Sequence, residues 1–445
     1  MRLNKIHFLN VLFNATWIKI LIANTGWMGI SQFSKVSESI VRAIIVARLL
    51  GLEVLGTYVT IMAFVSIMAE VFYLNLGTIV LTFGSKYKVN CEKIKLKSLI
   101  KLTYILSILN IIVCTGISLL MLWLFQDKIF ESQEWFIWIS ILIFASSFHL
   151  IDYNNKGILR LFDCFKLSCI LDLIVTIINI SLTILILKFV SLDLQSALLS
   201  LIIGLILSSL LSTIISVIIL SKKLPDLWST SIIILRNDFS IIFKTMFVNS
   251  FSLSLRRLSR KVDVLILASL APASSVGIYD VGKKLSAMIL LLRDAMSLAA
   301  FPQVSKAIIK GQYQKMYYLL TRFLLLFIPA TLCCLFFIWL LSDILIVIIF
   351  GEEFREASYI LTILSVTSFT YLAFFWSGPI LLQLALLKTQ LFSNLISLLI
   401  IIGLSYWLGG KYDGIGVAWA MVIGTLFQFM IVFIAIRKKL KSYDA

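Results

Sequence analysis

The sequence predicts an all-α polytopic membrane protein with about 12 transmembrane helices in two six-helix lobes. Of its 445 residues, 60% are hydrophobic and only 14% are charged, whereas soluble domains are close to half apolar and a quarter charged. The mean hydropathy is +1.04. Apolar runs long enough to cross a bilayer, which takes about 20 residues, recur along the whole chain. These observations exclude an ordinary soluble enzyme.

Twelve apolar segments are the candidate spans. They are 24–47, 54–83, 102–125, 135–158, 167–187, 196–219, 245–269, 277–300, 323–342, 358–383, 391–408 and 417–436. An even number of spans places both termini on the same side of the membrane. The spans divide the chain into an N-terminal interfacial segment (1–23), which we expect to be uncleaved, an N-lobe (24–219), a linker (220–244), a C-lobe (245–436) and a tail (437–445).

The distribution of charge predicts the orientation. Segments on the side of the termini carry 24 of the 39 Lys and Arg residues, and the opposite loops carry five of them and ten acidic residues. Because cytoplasmic loops are the basic ones, we expect the linker and both termini in the cytoplasm. Much of the net charge of +17 is then an orientation signal that also attracts anionic lipid. It gives no support for a nucleic-acid partner.

Cofactor and metal sites are not predicted. The six cysteines show no metal-ligand spacing and mostly lie within apolar runs, which is typical of small residues in membrane helices. The loops opposite the termini are 6 to 15 residues long. They leave no room for a catalytic domain outside the membrane.

Seventeen charged residues fall within the spans. Each costs about 2.5–3.5 kcal/mol at a helix centre, so they must pair with one another or line water. In the first span, Ser31, Lys35, Glu38 and Arg42 step by four, three and four residues. This spacing places them on one face of the helix.

Three further spans carry similar polar stripes, and two carry single acids. The residues are Asn249, Ser252, Arg256, Arg260 and Asp263 in the seventh span, Asp280, Lys283, Lys284, Arg293 and Asp294 in the eighth, His149, Asp152 and Lys156 in the fourth, Glu70 in the second and Asp172 in the fifth. The first, fourth, seventh and eighth spans together hold ten basic and five acidic residues. We therefore expect five unpaired cations lining a hydrated cavity that binds an anion. The alternative is a set of structural ion pairs.

Two stretches indicate an internal duplication. Ala47–Tyr58 and Ala268–Tyr279 lie 221 residues apart and are identical at four of twelve positions. Each follows the first span of a six-span half. Two parallel halves with a site at their interface are a transporter architecture. The offset maps Lys35 onto Arg256, so we expect the two polar stripes to face each other across a central cleft.

The same segments resemble a known family. Residues 24–58 (NTGWMGISQFSKVSESIVRAIIVARLLGLEVLGTY) resemble the first span of Wzx-type polysaccharide-export flippases, which begin with Asn-Thr-x-Trp and end with Ala-Arg-hydrophobic-Leu-Gly-Pro-Glu-x-x-Gly-x-Tyr. Leu52 stands where the family usually has proline. The second half resembles the family in VDVLILASLAPASSVGIYDVGKKLS, AAFPQVSK (Phe301, Pro302) and IIFGEEF. These flippases belong to the multidrug/oligosaccharidyl-lipid/polysaccharide exporter superfamily.

The resemblance implies a V-shaped MATE-like fold and a transporter, not an enzyme. Family members move undecaprenyl-pyrophosphate-linked oligosaccharide repeat units across the bacterial inner membrane for O-antigen or capsule biosynthesis. The implied partners are this lipid-linked oligosaccharide, membrane lipid, and the polymerase and chain-length proteins of the same pathway.

A lipid pyrophosphate carries negative charge that Arg binds through paired donors and Lys binds as a point charge. The predicted head-group site consists of Lys35, Arg42, Arg256 and Arg260, assisted by Lys283, Lys284 and Arg293. The sequence has no GxxxxGK[ST] nucleotide-binding motif, so we expect coupling to a gradient of H⁺ or Na⁺. The predicted coupling acids are Glu70, Glu38, Asp152, Asp263 and Asp280, with Glu70 first because its span holds no cation.

Two other classes of protein stay open. A multidrug/cation antiporter of the same superfamily would need an acidic, aromatic cavity, which the basic excess disfavours. A membrane-embedded polysaccharide polymerase or ligase would need a large outer loop or a metal-binding carboxylate pair. No DxD motif occurs in the chain.

Overall fold

The computed structural model describes residues 15–129, 134–294, 296–297, 304, 313–384 and 386–441, and the regular structure in these ranges is helical. The first half contains α1 (Ala15–Val71), α2 (Leu76–Val89), α3 (Lys93–Ile129), α4 (Glu134–Leu161), α5 (Phe165–Phe189) and α6 (Leu194–Lys223). The second half contains α7 (Phe239–Leu258), α8 (Val262–Leu270), α9 (Ala273–Ala287), α10 (Tyr313–Ile349), α11 (Ala357–Ala373), α12 (Ser377–Gln383) and α13 (Leu387–Lys441). Residues 1–14 of the predicted interfacial segment and the Phe301-Pro302 motif lie outside the described ranges.

The prediction of an all-α polytopic membrane protein is confirmed. Seven described stretches are long and apolar enough to cross a membrane. The first and last of them each contain two predicted spans, because α1 bends at Gly51 and α13 bends at Tyr412–Asp413. Large apolar side chains such as Ile177 and Phe336 are more than half exposed. In a bilayer these side chains face lipid.

Several predicted continuous spans are interrupted. Span 358–383 breaks at residues 374–376 between α11 and α12, so the expectation of one helix over this range was wrong. Span 54–83 breaks between α1 and α2, and the hydroxyls of α7 bind the polar backbone groups near the break. The Asn75 N–H donates to Ser250 Oγ at 3.0 Å, and Ser254 Oγ donates to the Glu70 carbonyl at 2.7 Å. Freed backbone groups at membrane depth need such partners. The expectation of one unbroken helix over 54–83 was wrong.

Span 245–269 breaks between α7 and α8. At this break the Arg260 carbonyl accepts a hydrogen bond from Lys283 Nζ at 2.8 Å, and Ser259 Oγ donates to the Leu255 carbonyl at 2.9 Å. Both bonds occupy carbonyls that a regular helix would use. The expectation of a single helix over 245–269 was therefore also wrong. The break brings Arg260 and Lys283 together.

The two halves meet where α1 crosses α9. A Cβ atom on Gly56 would lie 1.7 Å from the Ala273 carbonyl oxygen, and one on Gly277 would lie 2.9 Å from the Leu52 oxygen. The offset of 221 residues converts one contact into the other, because it maps Gly56 onto Gly277 and Leu52 onto Ala273. The crossing is therefore pseudo-symmetric, which supports the predicted duplication. Only glycine allows this close approach of backbones.

The main apolar core surrounds this crossing. It joins Leu55 and Val59 of α1 to Val276 of α9 and Leu361 of α11. At the start of α6, which we predict to lie at the outer surface, the Asp193 side chain accepts a hydrogen bond from the Ser196 N–H at 2.8 Å. This capping bond lowers the pKa of Asp193. The packed crossing leaves the polar stripes of α1 and α7–α9 to one side of it.

Candidate functional site

A central cavity of about 480 Å³ lies between α1 and the segment from α7 to α9. Its charged lining residues are Lys35, Arg42, Arg260, Lys261, Lys283 and Lys284, with Glu38 and Asp280. Another large cavity, of about 520 Å³ beside the α1–α9 crossing, is lined by Glu53 and by no described basic residue. The six-to-two excess of basic residues makes the central cavity the candidate anion site.

On the α1 side, Arg42 and Glu38 form one polar unit. Arg42 Nη2 lies 3.0 Å from Glu38 Oε1, and the same carboxylate accepts hydrogen bonds from Asn179 Nδ2 at 2.9 Å and Thr176 Oγ1 at 3.3 Å. Arg42 is buried, and its Nε atom has no hydrogen-bond partner among the described residues. A buried donor without a partner is costly. It is a candidate contact for an anion in the cavity.

Lys35 belongs to a second cluster that extends into α4 and α5. Its Nζ lies 3.5 Å from Asp172 Oδ1. Asp172 also pairs with Lys156 at 2.7 Å and accepts a hydrogen bond from Ser31, and Lys156 contacts Asp152. A smaller cavity of about 150 Å³ lies against this cluster. Lys35 lines both cavities.

On the opposite wall, Lys283 and Lys284 line the cavity, and each is paired with a carboxylate. Lys283 Nζ lies 2.7 Å from Asp263 Oδ2, and Lys284 Nζ lies 2.5 Å from Asp280 Oδ2. Asp263 is completely buried and also accepts a hydrogen bond from the Tyr279 hydroxyl at 2.5 Å. The Lys283 side chain is 24% exposed. The wall therefore presents positive charge to the cavity.

Arg260 is the cavity cation without a carboxylate partner in the described ranges. Arg256 also forms no ion pair with a described residue and lies near Arg260 and Arg293, but it does not line the cavity. Arg293 pairs with Asp294 at 2.8 Å. The structure thus brings together five of the seven predicted head-group residues and places Arg256 and Arg293 outside the cavity wall.

The expectation of five unpaired cations was wrong. Eight of the ten basic residues within the spans have a carboxylate within 4.0 Å. The charge count in the sequence analysis covered only the first, fourth, seventh and eighth spans. It therefore left out Asp172 and Glu70, which reach the same region from α5 and α1. Glu70 pairs with Arg257 at 2.8 Å and with Lys261 at 3.2 Å. Of these ten, Arg256 and Arg260 have no ion pair with a described residue.

The predicted coupling acids occupy different surroundings. Glu38 and Asp280 line the central cavity, and Asp152 lines the smaller one. Asp263 lies behind Lys283. Glu70 lines neither cavity and joins the two halves through its ion pairs. Their role in coupling stays a prediction.

Sequence reasoning missed the polar face of α5. Asp172, Thr176 and Asn179 are spaced by four and three residues in an otherwise apolar helix, and all three contact charged residues of α1. The same helical spacing identified the stripe of α1. It was overlooked because only one of these three residues is charged.

Comparisons with known proteins support this architecture. The family model described as "Polysaccharide biosynthesis protein" matches residues 21–308. The Haloferax volcanii protein named "Probable low-salt glycan biosynthesis flippase Agl15" is 35% identical over 108 residues, which are 23% of this chain and 22% of that protein.

Two solved structures show the same fold. An inward-facing multidrug resistance MATE family transporter of the MOP superfamily superimposes with a TM-score of 0.74 at 14% identity, covering 92% of this chain and 94% of the other. The lipid II flippase MurJ, in an inward closed conformation, gives a TM-score of 0.65 at 18% identity over 93% and 89% of the two chains. The predicted MATE-like fold is confirmed.

Proposed function

The chain belongs to the polysaccharide biosynthesis protein family, and from this premise we propose that it is a flippase for undecaprenyl-pyrophosphate-linked oligosaccharide repeat units. It moves them across the bacterial inner membrane for O-antigen or capsule assembly. The observation that carries the proposal is the central cavity, with six basic residues against two acidic ones. A relative named as a glycan biosynthesis flippase supports the same function.

The cavity suits a pyrophosphate head group. Arg260 has no ion pair among the described residues and sits beside Lys261 and Lys283 in the cavity wall. An arginine offers two parallel donors to a phosphate, and flanking lysines add positive charge. On the opposite wall, Arg42 provides the unpartnered Nε donor. The head group is held between the two halves while its lipid tail stays in the bilayer.

Transport follows from rocking of the two halves about this site. We take the halves as residues 24–219 and 245–436, with both termini in the cytoplasm. The α1–α9 crossing closes the outer side when the cavity opens inward, and its separation releases the sugar outward. An H⁺ or Na⁺ gradient drives net movement, with Glu38 and Asp280 as the acids in direct contact with the cavity.

Binding of undecaprenyl pyrophosphate to the purified protein in nanodiscs tests the site. Arg260→Gln removes the unpaired guanidinium, and we expect binding to weaken by roughly tenfold, the effect of losing about 1.4 kcal/mol. Arg236→Gln is the matched control, because Arg236 is exposed and lines no cavity. Binding of an organic cation such as tetraphenylphosphonium is measured separately, as the ligand expected of a cation antiporter.

The proposal requires that wild type and Arg236→Gln bind the lipid equally well and that Arg260→Gln does not. Equal binding by all three proteins would place the head group elsewhere. Tight binding of the organic cation with no binding of the lipid would instead identify a cation antiporter.

A further inference from the structure

Building on the proposed function, we infer that Lys35 is an exchangeable counter-ion: it pairs with Asp172 when the cavity is empty and with the substrate's pyrophosphate when the cavity is loaded. The arrangement that carries this inference is the position of Lys35 between the two cavities. Lys35 and Glu38 are the described charged residues that line both. Glu38, an anion, cannot bind the phosphate.

The contact of Lys35 with Asp172 is the looser one. Its Nζ lies 3.5 Å from Asp172 Oδ1, whereas Lys156 Nζ lies 2.7 Å from the same oxygen. The Lys35 side chain is 40% exposed, and the Lys156 side chain is 11% exposed. Lys35 can therefore leave Asp172 with little loss of packing, while Lys156 is held in place.

Asp172 keeps its other partners when Lys35 leaves. The Ser31 hydroxyl donates to its second oxygen, and Lys156 stays paired with its first. A buried carboxylate that lost every partner would be strongly destabilised, but this one would not be. Departure of Lys35 is thus permitted, and a pyrophosphate in the cavity offers it a doubly charged acceptor.

The exchange links cavity loading to the packing of α1 against α5. With both lysines present, Lys35 and Lys156 balance Asp152 and Asp172. When Lys35 turns to the substrate, one ion pair between α1 and α5 is lost, and the cluster keeps a net negative charge. Loaded and empty states then differ in a contact between two helices of the first half. This makes Asp172 a positioning residue that competes with the substrate for Lys35.

The test measures binding of farnesyl pyrophosphate to the full chain in nanodiscs, with inorganic pyrophosphate as a second probe. Because Asp172→Asn removes the competitor for Lys35, we expect it to tighten binding by roughly three- to tenfold. In a Lys35→Gln background the same substitution should give no gain. If binding requires the lipid tail, farnesyl pyrophosphate will bind and inorganic pyrophosphate will not. If the pyrophosphate group is sufficient, both probes will bind.

Asp152→Asn is the matched control. It removes an identical charge from the same cluster, but Asp152 contacts Lys156 and not Lys35. We expect less than half of the gain seen with Asp172→Asn. Equal gains from the two variants, or a gain that persists without Lys35, would show a general electrostatic effect and overturn the exchange.

A second variant keeps the test decisive if Asp172→Asn does not fold. Ser31→Ala removes the hydroxyl donor to Asp172, so the carboxylate should hold Lys35 more tightly and binding should weaken about two- to threefold. Unchanged binding in Ser31→Ala would contradict the inference. Weaker binding in Arg260→Gln alongside unchanged binding in all cluster variants would leave the proposed function intact and reject only the exchange.

Discussion

In the described part of the chain, the ion pairs that join the two halves are those of Glu70. Its carboxylate binds Arg257 and Lys261, and Arg257 also stacks 4.4 Å from the centre of the Tyr73 ring. The Glu70 side chain is 13% exposed. Substituting it leaves two cations without their partner. Its place in this network favours a structural role over the predicted role in ion coupling.

We therefore expect Glu70→Gln to lower the stability of the protein by about 2 kcal/mol, below the usual range for a fully buried pair because Lys261 is partly exposed. Thermal unfolding in nanodiscs measures this effect. Glu92→Gln is the control, since the Glu92–Lys95 pair is much more exposed and should contribute little. If the Glu70→Gln protein kept its stability but its transport no longer depended on the ion gradient, the structural role would be contradicted and the coupling role of Glu70 supported.

At this scale the sequence predicts local contacts far better than distant ones. A pair one helical turn apart, such as Asp152–Lys156, can be recognised from its spacing along the sequence and is present in the structure. The pairs Lys35–Asp172 and Lys283–Asp263 join different helices. Spacing along one helix cannot identify them, because they depend on which helix faces which.

At the scale of elements, the crossing of α1 and α9 is the contact that the proposed transport cycle opens and closes. Gly56 and Gly277 allow the two backbones to touch. A leucine at position 56 would overlap the Ala273 carbonyl. We expect Gly56→Leu to separate the helices and hold the outer side open.

Accessibility of a cysteine in the central cavity measures this opening. In right-side-out vesicles with the six native cysteines replaced, Ser39→Cys should react with a membrane-impermeant maleimide at least about threefold faster when combined with Gly56→Leu, since a shift of under 1 kcal/mol suffices. Gly403→Leu is the control, because no atom lies within 4 Å of a Cβ at that position. Equal labelling of both variants would show that the crossing is not the outer gate.

The helix breaks are features that prediction of helices from hydropathy misses. Neither the break before Leu76 nor the one after Leu258 contains proline or glycine. Both depend on side chains from elsewhere, such as Ser250 and Lys283, that bind the interrupted backbone. A hydropathy pattern shows a continuous apolar segment in each case, so the breaks appear only once the helices pack.

At the scale of the whole molecule, composition and periodicity predict the membrane fold, and the duplication predicts a cavity between two halves. The α1–α9 crossing and the cavity beside it agree with both. The number of unpaired cations was overestimated, because charge within single spans was counted before their neighbours were known. The expected basic excess is still seen in the lining of the cavity, where six basic residues stand against two acidic ones.

The most direct test of the central claim is lipid translocation in proteoliposomes. A labelled polyprenyl-pyrophosphate oligosaccharide is incorporated, and an external reagent modifies only the sugar exposed on the outer leaflet. The account predicts that the wild-type protein exposes the sugar from both leaflets and that Arg260→Gln slows this about tenfold, while Arg236→Gln behaves as wild type. If the folded wild-type protein is present and the reagent still modifies only the lipid that was in the outer leaflet at the start, the account is contradicted.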